Sequence, residues 1–174
     1  MKDVLKAIEE RSSTRGYSDV KLTEEELNTI IKAGLQAPTA ANRQEIYFSV
    51  VDGDNPLLKE IHEEMLKGRP NGGQSFYYGA PTLFILSGPE DFYWSAVDAG
   101  IAVENMSLAA EGLGLGSVIL GCIKDAMTGE KKAAFNEALK IPEGCVYLVA
   151  LAVGHKAMEK TPHEFSEEKN VFRI

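Results

Sequence analysis

Val4, Leu5 and Ile8 stand at helical spacing among charged residues, so positions 3–10 read as a short amphipathic helix. Thr23-Glu24-Glu25-Glu26 has the form of a capping box, in which the threonine hydroxyl accepts from the third helical amide and the glutamate reaches back. The helix it opens carries Leu27, Ile30, Ile31 and Gly34 on one face and should stop before Pro38. Tyr47-Phe48-Ser49-Val50-Val51 is rich in strand-forming residues and is closed by the turn Asp52-Gly53-Asp54. A polar helix follows over 56–66, then the loop Gly68-Arg69-Pro70-Asn71-Gly72-Gly73, whose composition predicts a flexible segment able to act as a lid.

Beyond it the pattern predicts a strand over 82–87 and a long helix over 94–113. That helix is apolar nearly all round, which predicts burial on several sides or a place in a subunit interface. A short strand over 117–120, a helix over 125–139 and a continuous apolar strand over 146–153, of the kind buried on both faces, complete the body. The tail 155–174 is polar but carries Val171, Phe172 and Ile174, which would anchor it on a neighbouring molecule. This order of elements favours an α+β or α/β sandwich around a central sheet, built as one domain over 1–174.

Composition narrows the function. With 44% hydrophobic and 25% charged residues the chain can bury a core, and no uncharged apolar run is long enough to cross a membrane. The opening residues offer no apolar leader, so the expected location is the cytoplasm. A formal charge of −8, from 18 Lys+Arg against 26 Asp+Glu, argues against nucleic-acid binding, which needs clustered cations. Cys122 and Cys145 make no C-x-x-C motif, and His62, His155 and His163 lack metal-ligand spacing, so no metal site is expected.

Three clusters could carry chemistry. In Arg11-Ser12-Ser13-Thr14-Arg15, two guanidiniums flank three hydroxyls without a carboxylate between them; the set suits a phosphate monoester, or else ends a helix as a turn. Ala37-Pro38-Thr39-Ala40-Ala41-Asn42-Arg43-Gln44 combines small residues with amides able to read a heteroaromatic edge, or is an ordinary connection. The glycines of Gly112-Leu113-Gly114-Leu115-Gly116 follow a helix and precede a strand, the reverse of a dinucleotide fingerprint. Neither a P-loop nor a nucleophile elbow is present, so in an enzyme a cofactor would carry the chemistry.

Taken in order, these clusters resemble the nitroreductase family of FMN-dependent oxidoreductases, together with Gly79-Ala80-Pro81, the run from Asp98 to Ser117, and Val149-Ala150-Leu151-Ala152-Val153-Gly154. The resemblance implies an α+β, three-layer fold whose central, mostly antiparallel sheet is flanked by helices, in an interlocked homodimer with FMN at the subunit interface and the tail 155–174 packed on the partner. It places Arg11, Ser12, Ser13 and Arg15 on the FMN phosphate and ribityl chain. Pro38, Thr39, Ala40, Asn42 and Gln44 would reach the flavin from the partner subunit, and Ile119, Leu120 and Gly121 would lie beneath the ring near N5. His155, Lys156 or His163 would stand in for the basic residues that complete the phosphate site.

The implied activity is ping-pong hydride transfer from NADH or NADPH through flavin N5 to a quinone, nitroaromatic or related small acceptor, with no side chain as an essential acid or base. Where the family usually continues Gln-Pro-Trp, this chain has Gln44-Glu45-Ile46. The lost aromatic leaves a second reading, a flavin-binding sensor or carrier with little turnover, and a third, a flavin-free dimeric interaction module.

Overall fold

The computed structural model describes residues 3–67 and 74–174; the loop 68–73, expected above as a lid, lies outside the described residues. Four strands, β1 (Tyr47–Asp52), β2 (Thr82–Pro89), β3 (Gly116–Leu120) and β4 (Cys145–Gly154), form one sheet in the order β1-β2-β4-β3 with every pairing antiparallel. β2 and β4 are the central strands. Their alternation sends Leu83, Ile85, Ala150 and Ala152 to one face and Phe84, Leu86, Leu151 and Val153 to the other, all fully buried. Burial on both faces is what the unbroken apolar run of β4 predicts, and β2 shares it; each such large side chain contributes about 1.5–3 kcal/mol.

Helices cover both faces and make three layers. The first face carries α3 (Pro56–Met65), α5 (Lys124–Thr128) and α6 (Lys132–Ala138), through Leu58, Ile61, Met127 and Phe135. The second carries α2 (Glu24–Leu35) and α4 (Ser95–Gly112), through Ile30, Ala102, Val103 and Met106. Gly34 allows these two helices to meet closely, since a Cβ there would lie 2.8 Å from both Met106 and Phe48. The helix expected over 125–139 is two helices; Gly129, with extended backbone at ψ −159°, ends α5 before α6 begins.

α1 (Val4–Glu10) packs on α4 but leaves Val4, Leu5 and Ile8 exposed, and α4 itself exposes Val97 and Ile101. The tail is exposed from residue 157 onward and holds one short helix, α7 (Glu167–Asn170). Among the described residues no helix is long and apolar enough to cross a membrane.

The capping box forms as the sequence predicts: the Thr23 hydroxyl accepts from the Glu26 amide at 3.2 Å, and the Thr23 amide donates to Glu26 at 2.8 Å. That second bond holds the Glu26 carboxyl below its ordinary range. Thr23→Ala should lower stability by about 1 kcal/mol in urea denaturation. A carboxyl with a depressed pKa contributes most when ionised. The stability gap between wild type and Glu26→Gln should therefore be full at neutral pH and close as the solution is acidified through the lowered value.

Candidate functional site

α1 ends at Arg11, whose amide donates to the Ala7 carbonyl at 2.9 Å. The chain then runs alongside the sheet. Ser13 pairs in parallel with Ser117 of β3, the Thr14 amide donates to the Ser117 carbonyl at 2.9 Å, and Tyr17 pairs antiparallel with Lys156 just beyond β4. The segment is thus wedged between β3 and the end of β4. The Tyr17 hydroxyl locks it further by donating to the Thr14 carbonyl at 2.9 Å, and burial pushes that phenol well above its ordinary pKa.

This placement sorts the first cluster. Ser12 and Thr14 are buried and line a cleft of about 200 Å³ with Glu111, Lys156 and Lys160, while Arg15 is exposed and Arg11 and Ser13 are partly so. The Ser12 hydroxyl donates to the Lys160 carbonyl at 3.1 Å. Arg11 lies 3.6 Å from Glu104, whose carboxyl burial raises above its ordinary range against the opposing pull of that guanidinium. The Arg15 guanidinium lies 5.7 Å from the centre of the Tyr78 ring.

The second cluster is a strained loop. Ala41, Asn42 and Gln44 all have left-handed backbone, at φ 52°, 53° and 54°, which for residues other than glycine costs about 1–3 kcal/mol each when nothing compensates. Three hydrogen bonds hold the conformation. The Ala40 amide donates to the Asp98 carboxylate at 3.0 Å, the Gln44 amide to the Thr39 hydroxyl at 3.0 Å, and the Gln44 side-chain amide to Asn42 at 2.9 Å. Arg43 pairs with Glu45 and stacks over Phe92 at 4.1 Å. Pro38 is exposed at the loop's entrance, and Thr39 and Gln44 border a hollow of about 100 Å³ against Gly34, Phe48 and Ala102.

Asp98, which sequence reasoning did not single out as a site residue, is the anchor of this loop. It is 4% exposed in the first turn of α4. Its signal was present as a carboxylate in the first turn of a helix whose neighbouring positions, Val97, Ala99, Ile101, Ala102 and Val103, are apolar.

The third group closes β3. Ile119 and Gly121 are exposed, whereas Leu120 is buried and its carbonyl accepts the Tyr147 hydroxyl at 2.7 Å. At the C-terminal side, the His155 imidazole lies 4.0 Å from Glu26 at the start of α2. Lys156 donates to both carboxylate oxygens of Glu111, at 3.0 and 2.9 Å, and Glu111 is 2% exposed. His163 lies in the exposed tail. Among the described residues, no three His, Cys, Asp or Glu side chains are placed to hold a metal ion.

α4 relates the two halves. Asp98, which fixes the 38–44 loop, and Glu111, which fixes Lys156, are separated by about 20 Å along the helix and by roughly 140° around it, at 1.5 Å and 100° per residue. One chain therefore presents the Arg11–Arg15 segment and the 38–44 loop on different sides of the same helix.

The same pattern of sequence and fold recurs in known proteins. A protein of Archaeoglobus fulgidus, provisionally named an NADH dehydrogenase/NAD(P)H nitroreductase, is 35% identical over 100% of this chain and 97% of its own length. An FMN reductase [NAD(P)H] of Bacillus subtilis is 30% identical, covering 90% of this chain and 67% of the relative. The crystal structure of a Desulfitobacterium hafniense nitroreductase with bound FMN superposes with a TM-score of 0.89 at 28% identity, over 100% of both chains. The model of the Nitroreductase family matches residues 8–155, a span that holds the Arg11–Arg15 segment, the 38–44 loop, the whole sheet and His155. With that match and a relative aligned end to end, this chain belongs to the nitroreductase family.

Proposed function

We propose that the protein is an FMN-dependent NAD(P)H oxidoreductase that works by a ping-pong cycle, as a homodimer in which each flavin is held by residues of both copies. The observation that carries this reading is the pinned segment 11–15, which runs two arginines and a serine alongside β3. The relatives' names and the FMN in the D. hafniense structure support the cofactor and the reductant.

The donor set fits an FMN phosphate. Arg11 and Arg15 supply planar, permanently charged donors and Ser13 a neutral one, a combination matched to a phosphate monoester. Arg15 stacks on a tyrosine ring instead of a carboxylate, and Arg11 meets a carboxyl that burial already disfavours in its charged form. Ile119 and Gly121 offer an exposed, largely apolar rim beside which a flat ring could lie. When bound, the flavin supplies the redox step, accepting a hydride equivalent from reduced nicotinamide and passing electrons to a small acceptor such as a quinone or nitroaromatic. The chain's own residues bind and orient. No side chain in the site needs to act as an acid or base, since solvent can exchange the protons.

The dimer follows from what one copy leaves unmatched. Its 38–44 loop is held rigid by Asp98 on a different side of α4 from the arginines, which suits contact with a flavin bound to a second copy. Val4, Leu5, Ile8, Val97 and Ile101 expose apolar surface around the same helix, and Phe165, Phe172 and Ile174 do so along the tail. The tail, expected to pack on the partner over 155–174, does so in this reading beyond residue 160, because its start is bonded to this copy's own 12–18 segment.

Arg11→Ala or Arg15→Ala should weaken FMN binding by about ten- to a hundredfold, the loss of one charge-assisted hydrogen bond worth about 1.5–3 kcal/mol, as read by flavin fluorescence quenching. Lysine at either position should restore only part of the affinity. Unchanged affinity in both alanine variants would remove the phosphate site from this segment. Anaerobic NADH or NADPH should bleach the bound flavin, and menadione should bring the yellow colour back; a flavin that stays oxidised would leave the carrier reading in place. Sedimentation at micromolar concentration should give a dimer. A monomer that still retains FMN tightly would refute the shared site.

A further inference from the structure

We propose that the Lys156–Glu111 ion pair is a positioning device: it holds residues 12–14 in register against β3 so that Arg11, Ser13 and Arg15 face the phosphate, and Lys156 is not itself a phosphate ligand. The inference rests on the flavin reading above.

Glu111 is an expensive residue where it stands. It lies in the last turn of α4, where the helix dipole disfavours a negative charge, and it is 2% exposed, so its ionised form loses nearly all hydration. Lys156 offsets both costs by donating to both carboxylate oxygens. Neither helix formation nor packing of an apolar core calls for a carboxylate at this position, because α4 meets the sheet through Ala102, Val103 and Met106.

What the pair does call for is a fixed place for the chain around it. The backbone of Lys156 pairs with Tyr17, and its neighbours continue the ladder: the Ser18 amide donates to the His155 carbonyl and the Ala157 amide to the Gly16 carbonyl, both at 3.0 Å. One residue therefore ties α4 through its ammonium and the 16–18 backbone through its main chain. Its aliphatic stem also helps to seat Thr14. A Cβ on Gly116 would lie 2.6 Å from the Thr14 hydroxyl and 2.9 Å from Lys156 Cγ, so the threonine and the lysine stem share the space that this glycine leaves.

The register matters because the segment alternates. Ser12 and Thr14 are turned into the cleft with Lys156 and Glu111, and Arg11, Ser13 and Arg15 do not line it. A slip of one residue would exchange the two sets. Two of the three ammonium donors of Lys156 already go to Glu111.

The test compares FMN with riboflavin, which lacks the phosphate, by fluorescence quenching on the full chain freed of flavin. Glu111→Asp keeps the charge and shortens its reach; Glu111→Gln removes the charge. Both should weaken FMN by about tenfold, equivalent to 1.4 kcal/mol, and leave riboflavin within about twofold. Lys156→Arg, which can keep both hydrogen bonds, should hold FMN within about threefold of wild type.

A direct lysine–phosphate contact predicts the opposite sign, since Glu111→Gln would then relieve a repulsion and tighten FMN. That result, or FMN and riboflavin weakening by the same factor, would overturn the inference. If Glu111→Gln does not fold, Glu111→Asp and Lys156→Arg decide it alone. Wild-type protein that binds no FMN would instead overturn the flavin reading and this inference with it; wild type that prefers FMN over riboflavin, with that preference unmoved in Glu111→Asp, sinks only the positioning role.

Discussion

Two buried carboxylates on one helix organise this protein. Asp98 stands in the first turn of α4, where the helix dipole favours a negative charge, and it holds the 38–44 loop through the Ala40 amide. Glu111 stands in the last turn, where the dipole opposes it, and Lys156 closes on it from the end of β4 and offsets that cost. These two carboxylates stand near the ends of the helix, with Glu104, Asn105 and Ser107 making further polar contacts between them, so the length of α4 sets the distance between the loops that Asp98 and Glu111 fix. A shorter α4, or one rotated by a residue, would move both loops relative to the sheet.

Much of this was legible in the sequence. The capping box at Thr23, the strand at β2 and the unbroken apolar run of β4 rest on local chemistry, and each appears where its pattern places it. The break at Gly129 was less legible, because the apolar spacing of 125–139 continues through it: Ala126 and Met127 on one side and Phe135 and Leu139 on the other all face the same core. Periodicity reports the face that packs and is blind to a change of helix axis between two short segments sharing one face.

Within the site, composition identified the donors but not their directions. Arg11-Ser12-Ser13-Thr14-Arg15 reads as five equivalent contributors until the parallel bridge to Ser117 imposes alternation, which turns Ser12 and Thr14 inward. The same applies to Lys156. A lysine after Gly154 looks available to an anion; only the long-range contact with a residue on α4 shows that its charge is already engaged. Such contacts join positions far apart in the chain, and no local pattern encodes them.

The replacement of Pro-Trp by Glu45 and Ile46 acquires a physical meaning in the folded chain. Glu45 draws in Arg43, which lies over Phe92, so the far end of the left-handed loop is braced by an ion pair on a ring. Arg43 and Glu45 are both substantially exposed, so this brace is weaker in water than the buried contact at Asp98. The loop is therefore held firmly at its Ala40 end and lightly at its Glu45 end. A second copy that covered this end in the proposed homodimer would exclude solvent from the ion pair and strengthen it. In the homodimer proposed above, binding of the partner would therefore also stiffen the loop.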